Sequence, residues 1–207
     1  MKKIYLKTRL TLAALACVFL SLFTANAQKG YIDASYYQGK GVDSKCTGGI
    51  VLPDSSVIAI GPFHFVHQSF FFGIVKLTKT GDIDPAFNPG GSGADNTVNQ
   101  VVRQTDDKLI IAGDFTHYNG VAVNHIVRLN PDGSIDGSFN VGSGFTAAGT
   151  VYSLYLQTDG KVMVGGAFID YNGTTANYIA RLNSDGTIDN TFNAGGIGFD
   201  YFVFGID

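Results

Sequence analysis

Apolar positions along the chain fall in short β-branched runs separated by polar, turn-rich stretches, and the pattern repeats. Thr105-Asp-Asp-Lys-Leu-Ile-Ile-Ala-Gly-Asp-Phe-Thr-His-Tyr-Asn-Gly120 returns as Thr158-Asp-Gly-Lys-Val-Met-Val-Gly-Gly-Ala-Phe-Ile-Asp-Tyr-Asn-Gly173. Ile126-Val-Arg-Leu-Asn-Pro-Asp-Gly-Ser-Ile-Asp-Gly-Ser-Phe-Asn140 returns as Ile179-Ala-Arg-Leu-Asn-Ser-Asp-Gly-Thr-Ile-Asp-Asn-Thr-Phe-Asn193. A more divergent copy precedes them, with Asp54 to Gly61, Phe63, and Ile74 to Asn88. Ile32-Asp-Ala-Ser-Tyr-Tyr37 matches only the tail of a unit. An Ile-Asp-x-x-aromatic signature thus places Asp at 33, 84, 136 and 189, a period of 51 to 53 residues. Self-similarity at such a spacing signals a repeat architecture.

Each unit reads as four strands. In the last complete copy they are Val151 to Gln157, Lys161 to Gly166, Tyr178 to Asn183 and Thr187 to Phe192. Thr158-Asp-Gly and Ser184-Asp-Gly supply hairpin turns, where glycine reaches positive φ at no steric cost. The second strand, Lys-Leu-Ile-Ile or Lys-Val-Met-Val, is apolar without alternation. Both of its faces should therefore be buried, as in a small sheet held between two neighbours. The expected fold is all-β: a β-propeller-like array of four-stranded antiparallel blades. Its repeats span approximately 47–88, 98–140 and 150–193, with the start of a fourth at 201–207. About three blades are present, so the array is expected to be a truncated piece of a longer protein; an open stack or solenoid of hairpin units is the alternative. Phe63, Phe115 and Phe168 are expected to wedge between blades, as are Phe87, Phe139 and Phe192.

The N-terminus changes the setting. A basic start (Lys2, Lys3, Lys7, Arg9), an apolar run from Leu12 to Phe23 and Ala25-Asn-Ala27 have the layout of a secretory signal peptide over 1–27. The apolar run is short for a membrane span. Beyond it, ten basic groups face seventeen acidic ones, all Asp, for a net charge of −7. Asp in place of Glu, together with 27 Gly, favours turns over helix. The acidic balance argues against nucleic acid as a partner. With Cys46 as the one cysteine after the leader, stability must come from an apolar core.

Asp159-Gly-Lys-Val-Met-Val-Gly-Gly-Ala-Phe168, Tyr171-Asn-Gly173, Ile179-Ala-Arg-Leu-Asn183 and Asp185-Gly-Thr-Ile-Asp-Asn-Thr-Phe-Asn193 resemble the delta-60 repeat family, and 105–140 matches it nearly as well. The first unit departs from the pattern: Gly61-Pro62 replaces Gly-Asp, and His67-Gln-Ser-Phe-Phe-Phe-Gly73 replaces the Tyr-Asn-Gly turn. The resemblance implies a bacterial secreted or cell-surface β-propeller, of a kind that in some members precedes a C-terminal sorting domain. It supplies no catalytic motif.

Several residues invite chemistry. The loops Asn130 to Asp136 and Asn183 to Asp189 cluster oxygen ligands, but they lack the spacing and the bidentate Glu of a calcium loop. Turn chemistry is the favoured reading: Asp132 and Asp185 open tight turns, while Asp136 and Asp189 bind nearby backbone N–H groups. Arg128 and Arg181, with Lys76 in the first unit, are expected to pair with the Asp of their own unit, bidentately where Arg is present. His64 and His67 lie on the same kind of connection as His117, so propeller geometry could bring some histidines, His125 included, to one face. Zinc wants three or four convergent ligands, however, and the third unit has Asp170 in place of His117 and no histidine, so solvated loop histidines are the favoured reading. Asp114 is singular, facing Pro62 and Ala167 at equivalent positions. Cys46 belongs to no Cys-x-x-Cys motif and is expected to be an inert small hydrophobe.

No catalytic, metal or cofactor residue is therefore assigned. The expected function is a non-catalytic scaffold or binding surface for extracellular protein or carbohydrate, with specificity in the loops 64–73, 115–125 and 168–178. An extracellular hydrolase or lyase with its site elsewhere, or a structural adhesin segment, are the alternatives, and fold alone cannot choose among them.

Overall fold

The computed structural model describes residues 43–66, 69–146, 149–193, 196 and 198–207. The leader 1–27, the Ile32 to Tyr37 stretch with Asp33, and His67 lie outside the described residues.

Three antiparallel sheets follow one another. The first orders β1 (Gly48–Val51), β2 (Val57–Ile60) and β5 (Ile74–Leu77) as β1-β2-β5. The second orders β6 (Val98–Arg103), β7 (Leu109–Gly113) and β10 (Ile126–Leu129) as β6-β7-β10. The third orders β11 (Val151–Leu156), β12 (Val162–Gly166) and β15 (Ile179–Leu182) as β11-β12-β15. Between the second and third strands of each sheet sits a two-stranded hairpin: β3 (Phe65–Val66) with β4 (Ser69–Phe70), β8 (His117–Tyr118) with β9 (Val121–Ala122), and β13 (Asp170–Tyr171) with β14 (Thr174–Thr175). No helix among the described residues is long and apolar enough to cross a membrane.

The first three strands of each unit stand where the apolar runs place them. The fourth is contracted to a single antiparallel bridge, Leu77 with Ile83, Leu129 with Ile135 and Leu182 with Ile188. The reason is local. One residue beyond the bridge, Asp136 Oδ1 accepts the Ser138 amide at 3.0 Å, and Asp189 Oδ1 accepts the Thr191 amide at 3.0 Å. A side chain that captures the backbone two residues ahead bends the chain out of its ladder. The connection before the third strand is, conversely, more ordered than a loop. Asn119 and Gly120 have φ of 50° and 77°, and Asn172 and Gly173 have 52° and 74°, so each pair makes the doubly left-handed turn that closes a tight hairpin.

Burial on both faces of the middle strand fixes the stacking. Leu109 and Ile111 of β7 join Ile58, Ile60 and Phe87 in one core, between the first and second units. Ile110 and Ala112 join Phe139, Val162 and Val164 in another, between the second and third. Strand β6 lies against both β1 and β11, so the first strands of the three units stand side by side. Phe87, Phe115, Phe139 and Phe168 are buried at these joints and Phe63 in a first-unit cluster, whereas Phe192 is half-buried beneath the Arg181 guanidinium. The 201–207 segment forms no ladder; it lies along the third sheet, Val203 N donating to Gly166 O at 3.3 Å and Ile206 N to Ser153 Oγ at 3.0 Å.

One backbone approach recurs at every unit. At the end of each middle strand a Cβ on Gly61, Gly113 or Gly166 would lie 2.3, 2.1 and 2.1 Å from the carbonyl oxygens of Lys45, Thr97 and Thr150. In the second and third units this contact sits beside a register shift in the first strand, at Val98/Gln100 and Val151/Ser153, an irregularity of the kind that bends a strand. Gly160, by contrast, needs only its φ of 83°, with no atom nearer than 3.7 Å. Gly113→Ala is therefore expected to cost about 2–4 kcal/mol in urea unfolding, against roughly 1 kcal/mol for Gly160→Ala. Equal losses would mean that the carbonyl contact does not set the stacking.

Candidate functional site

Two polar systems emerge, one along the outer edge of the units and one on the hairpin face. On the outer edge Arg128 Nε donates to Asp136 Oδ2 at 2.7 Å, and Arg181 Nε to Asp189 Oδ2 at 2.7 Å. The pairing is the expected one, but it is not bidentate: the second guanidinium nitrogen turns to Ser138 Oγ at 3.0 Å and Thr191 Oγ1 at 3.3 Å. A second cation, absent from the sequence reading, completes each cluster, with Lys108 Nζ 2.9 Å from Asp136 and Lys161 Nζ 2.8 Å from Asp189. In the first unit Lys76 pairs with Asp84 at 3.1 Å. Burial pushes the Asp136 carboxyl upward, and the Ser138 hydroxyl, Lys108, the Ser138 amide and Arg128 together outweigh it and hold the group well below the usual range. Lys161 and the Thr191 hydroxyl do the same for Asp189.

These occupied carboxylates bear directly on the calcium question. Asp132 Oδ1 accepts the Ser134 amide at 2.9 Å and hydroxyl at 2.6 Å, and Asp185 treats Thr187 in the same way. The Asp136 and Asp189 oxygens are bound by ammonium, guanidinium and hydroxyl donors, while Asp132 and Asp185 are held by amide and hydroxyl donors of their own turns.

On the hairpin face the organising group is Asp95, which the sequence did not single out. Its Oδ1 accepts the Thr116 and His117 amides at 2.8 and 2.9 Å; its Oδ2 accepts Thr116 Oγ1 at 2.8 Å and lies 3.0 Å from His117 Nδ1. Partial burial pushes the Asp95 carboxyl up, but the His117 amide, the Thr116 hydroxyl and the other donors bring it below its ordinary value. The carboxylate thus fixes the start of the β8 hairpin and orients an exposed imidazole. Asp43 repeats the backbone part in the first unit, accepting the His64 and Phe65 amides at 2.9 and 3.0 Å, with His64 Nδ1 at 3.8 Å. In the third unit Asp170 instead accepts Thr146 Oγ1 at 2.9 Å. A cleft between the first two hairpins is lined by Phe72, Ser92, Gly93, Ala94, Asp95 and His117.

Beside that cleft the divergent first hairpin carries aromatic rings. Phe65 and Phe70 pack with centroids 4.4 Å apart, Phe70 lies 6.2 Å from Phe72, and His64 meets Phe72 edge-on at 5.3 Å. Phe70 is 65% exposed. The signal for this ledge was present in sequence as the Phe70-Phe-Phe72 run, which stands in place of Ala122-Val-Asn124 and Thr175-Ala-Asn177 in the other units.

Residues 104–139 and 157–192 match the family described as domain of unknown function (DUF5122) beta-propeller. The chain carries β-propeller repeats. None of the curated proteins matches it. Among solved structures it is similar to a protein of unknown function from Bacteroides caccae, at 11% identity and a TM-score of 0.34, over 74% of this chain and 68% of that one. It is also similar to the extracellular domain of BT4673 from B. thetaiotaomicron, at 9% identity and a TM-score of 0.30, over 80% of this chain and 30% of that one.

The remaining candidates, Asp114, His125 and Cys46, bond to groups of the blades themselves. Asp114 accepts Asn99 Nδ2 at 3.1 Å, and the same Asn99 amide reaches Val151 O of the next blade at 3.0 Å. His125 is buried, its Nδ1 placed 3.1 Å from Gly113 O, at a left-handed φ of 75° where the first blade has Gly73. The Cys46 thiol donates to Gly48 O at 3.3 Å and packs at the edge of the first blade's core. None of the three joins the hairpin-face cleft.

The acid limb of stability follows from the outer clusters. Asp136 and Asp189 have folded-state values lowered from the ordinary carboxyl value near 4, so their contribution is complete above about pH 4 and is lost as the pH falls below it. Thermal melts between pH 7 and pH 2 should show Tm falling through that window. Asp136→Asn should lower Tm at pH 7 and flatten the acid fall; an unchanged slope would place the acid sensitivity outside this clamp.

Proposed function

We propose that the chain is an exported, cell-surface or secreted module of the delta-60 repeat type, whose blades present a non-catalytic binding face to extracellular carbohydrate. The leader-like 1–27 segment and the acidic, Glu-free composition support export and argue against a nucleic-acid partner. The observation that carries the binding reading is the Phe65–Phe70–Phe72 ledge beside the Asp95–His117 cleft. A 65%-exposed phenylalanine held by neighbouring rings costs solvation and contributes nothing to the blade core. Apolar surface adjoining a few fixed polar groups is the composition of a ligand site. Here the polar groups are the Asp95-oriented imidazole, Ser92 and the cleft backbone.

A hydrolase reading draws on the same cleft, because Ser92, His117 and Asp95 line it together. Binding and turnover are separable. Soluble glycans should retard the intact secreted protein in affinity electrophoresis, and Phe70→Ala should weaken that retention at least about tenfold, roughly 1.4 kcal/mol, with Tm unchanged. Retention indifferent to Phe70→Ala would remove the ledge from the site. Glycan cleavage abolished by His117→Ala would replace the binding module with the hydrolase, and retention of protein ligands alone would replace carbohydrate with a protein partner.

A further inference from the structure

The hairpin face holds one imidazole that its hairpin does not need. In the first two blades an aspartate closes the hairpin base in the same way: Asp43 N donates to Phe65 O at 3.1 Å and Asp95 N to His117 O at 3.0 Å. Each carboxylate then accepts two amides at the start of the hairpin, those of His64 and Phe65 in one case and of Thr116 and His117 in the other. Phe65 therefore stands where the second blade has His117, and the third blade has Asp170 there. The second hairpin is also braced from beneath, where the buried Tyr118 donates its hydroxyl to Gly133 O at 2.9 Å, as Tyr171 does to Gly186 O at 2.6 Å. Backbone and tyrosine account for the hairpin without the imidazole, whose side chain is 48% exposed and lines the cleft.

The partners of His117 fix its tautomer. Nδ1 lies 3.0 Å from Asp95 Oδ2 and 2.9 Å from Thr116 Oγ1, and the Thr116 hydroxyl donates to that same carboxylate oxygen at 2.8 Å. Asp95 is held in its ionised form by these donors, and an ionised carboxylate only accepts. A bare Nδ1 would set a lone pair against it, so Nδ1 carries the proton and Nε2 keeps its lone pair. Nε2 has no hydrogen-bond partner among the described residues. The described lining of the cleft is otherwise Phe72, Ser92, Gly93, Ala94 and Gly120, with no lysine or arginine to set against Asp95. A ligand here meets an aromatic ring, a lone pair and a fixed negative charge. A sugar hydroxyl can donate to that lone pair. A carboxylate or sulfate brings only acceptor oxygens and finds no cation to receive them.

Resting on the carbohydrate reading above, we infer that Asp95 is a specificity-determining residue of this cleft, which takes neutral saccharides and turns away acidic ones. Asp95 acts directly, by repelling an anion, and also as a positioning residue that leaves the acceptor edge of His117 to the ligand.

The test is retention of the intact secreted protein in affinity electrophoresis at about pH 8, where free imidazole is neutral, and about 0.15 M salt, which screens charges more than about 8 Å apart. Laminarin and galactomannan are the neutral probes, polygalacturonate and chondroitin sulfate the acidic ones. A neutral probe should be held at least about tenfold more tightly than either acidic probe. In Asp95→Asn the side-chain oxygen can keep both backbone amides while the NH2 donates where Oδ2 accepted, which sends the imidazole proton to Nε2. Asp95→Asn should cut the neutral-to-acidic ratio at least about fivefold, and long-range proton–nitrogen correlation spectra should show the His117 proton move from Nδ1 to Nε2. His117→Ala should weaken retention by the neutral probe about three- to tenfold, the scale of one hydrogen bond, without admitting the acidic probes. Asp107→Asn removes the same charge outside the cleft and should leave the ratio unchanged. Equal or tighter binding of an acidic probe, a ratio indifferent to Asp95→Asn, or a parent His117 proton on Nε2 would each overturn the inference and leave carbohydrate binding standing. A ratio moved as far by Asp107→Asn would assign the selectivity to net charge and overturn it too. Retention by none of the probes would overturn both readings together.

Discussion

The middle strand of each blade has no polar face, and the rest of the molecule is arranged around that constraint. Leu109 and Ile111 need apolar cover on one side, Ile110 and Ala112 on the other, and a single three-stranded sheet can provide neither. Stacking is therefore a condition of folding, as it is wherever a repeat cannot bury its own hydrophobic surface. It also explains why glycine closes the middle strand. Gly61, Gly113 and Gly166 let the chain entering the first strand lay a carbonyl against the sheet at a distance that leaves no room for a Cβ.

Polar groups divide into those that hold a blade together and those that join it to its neighbour. Asp136 and Asp189 gather a lysine from the middle-strand turn, an arginine from the third strand and a hydroxyl from the fourth segment, tying the outer edge of one blade. Arg128 also crosses to Ser184 of the next blade, so one guanidinium serves both purposes. Such a cluster loses little to solvent screening because the Asp136 and Arg128 side chains are each only 9% exposed. With the Asp136 oxygens facing two cations, a hydroxyl and a backbone amide, the cost of burying charge is offset by hydrogen bonds.

Much of this frame is legible in sequence because the repeat supplies the same statement several times. The apolar runs give three strands per blade, the Asp-Gly pairs give the turns, and the shared spacing of Arg128 and Asp136 with Arg181 and Asp189 gives the clamp. The fourth strand is misread for a physical reason: Ile188 has β propensity, but Asp189 captures the Thr191 amide and turns the chain. Lys108 and Lys161 escape notice as members of the clamp because each stands just before a middle strand, and Lys161 is 28 residues from Asp189. Asp95 is harder still. It lies in a glycine-rich connection, and its partners Thr116 and His117 are 21 and 22 residues away. Only the fold brings that carboxylate under the hairpin.

Where the blades differ carries as much information as where they agree. The first blade keeps the middle-strand glycine, the buried Phe63 and a Lys76–Asp84 version of the clamp, so its frame is intact. Its departures concentrate in the hairpin, where Val66 replaces the bracing tyrosine, Phe70 stands in place of Ala122 and Thr175, and Phe72 in place of Asn124 and Asn177. Relaxed constraint would scatter changes across exposed positions and would not gather aromatic rings on one rim. Losing the tyrosine hydroxyl removes a hydrogen bond that the other two blades use, and the rings that replace it lie partly in solvent. The cleft they border holds an imidazole oriented by a carboxylate with four donors, and the binding reading proposed above rests on these first and second hairpins.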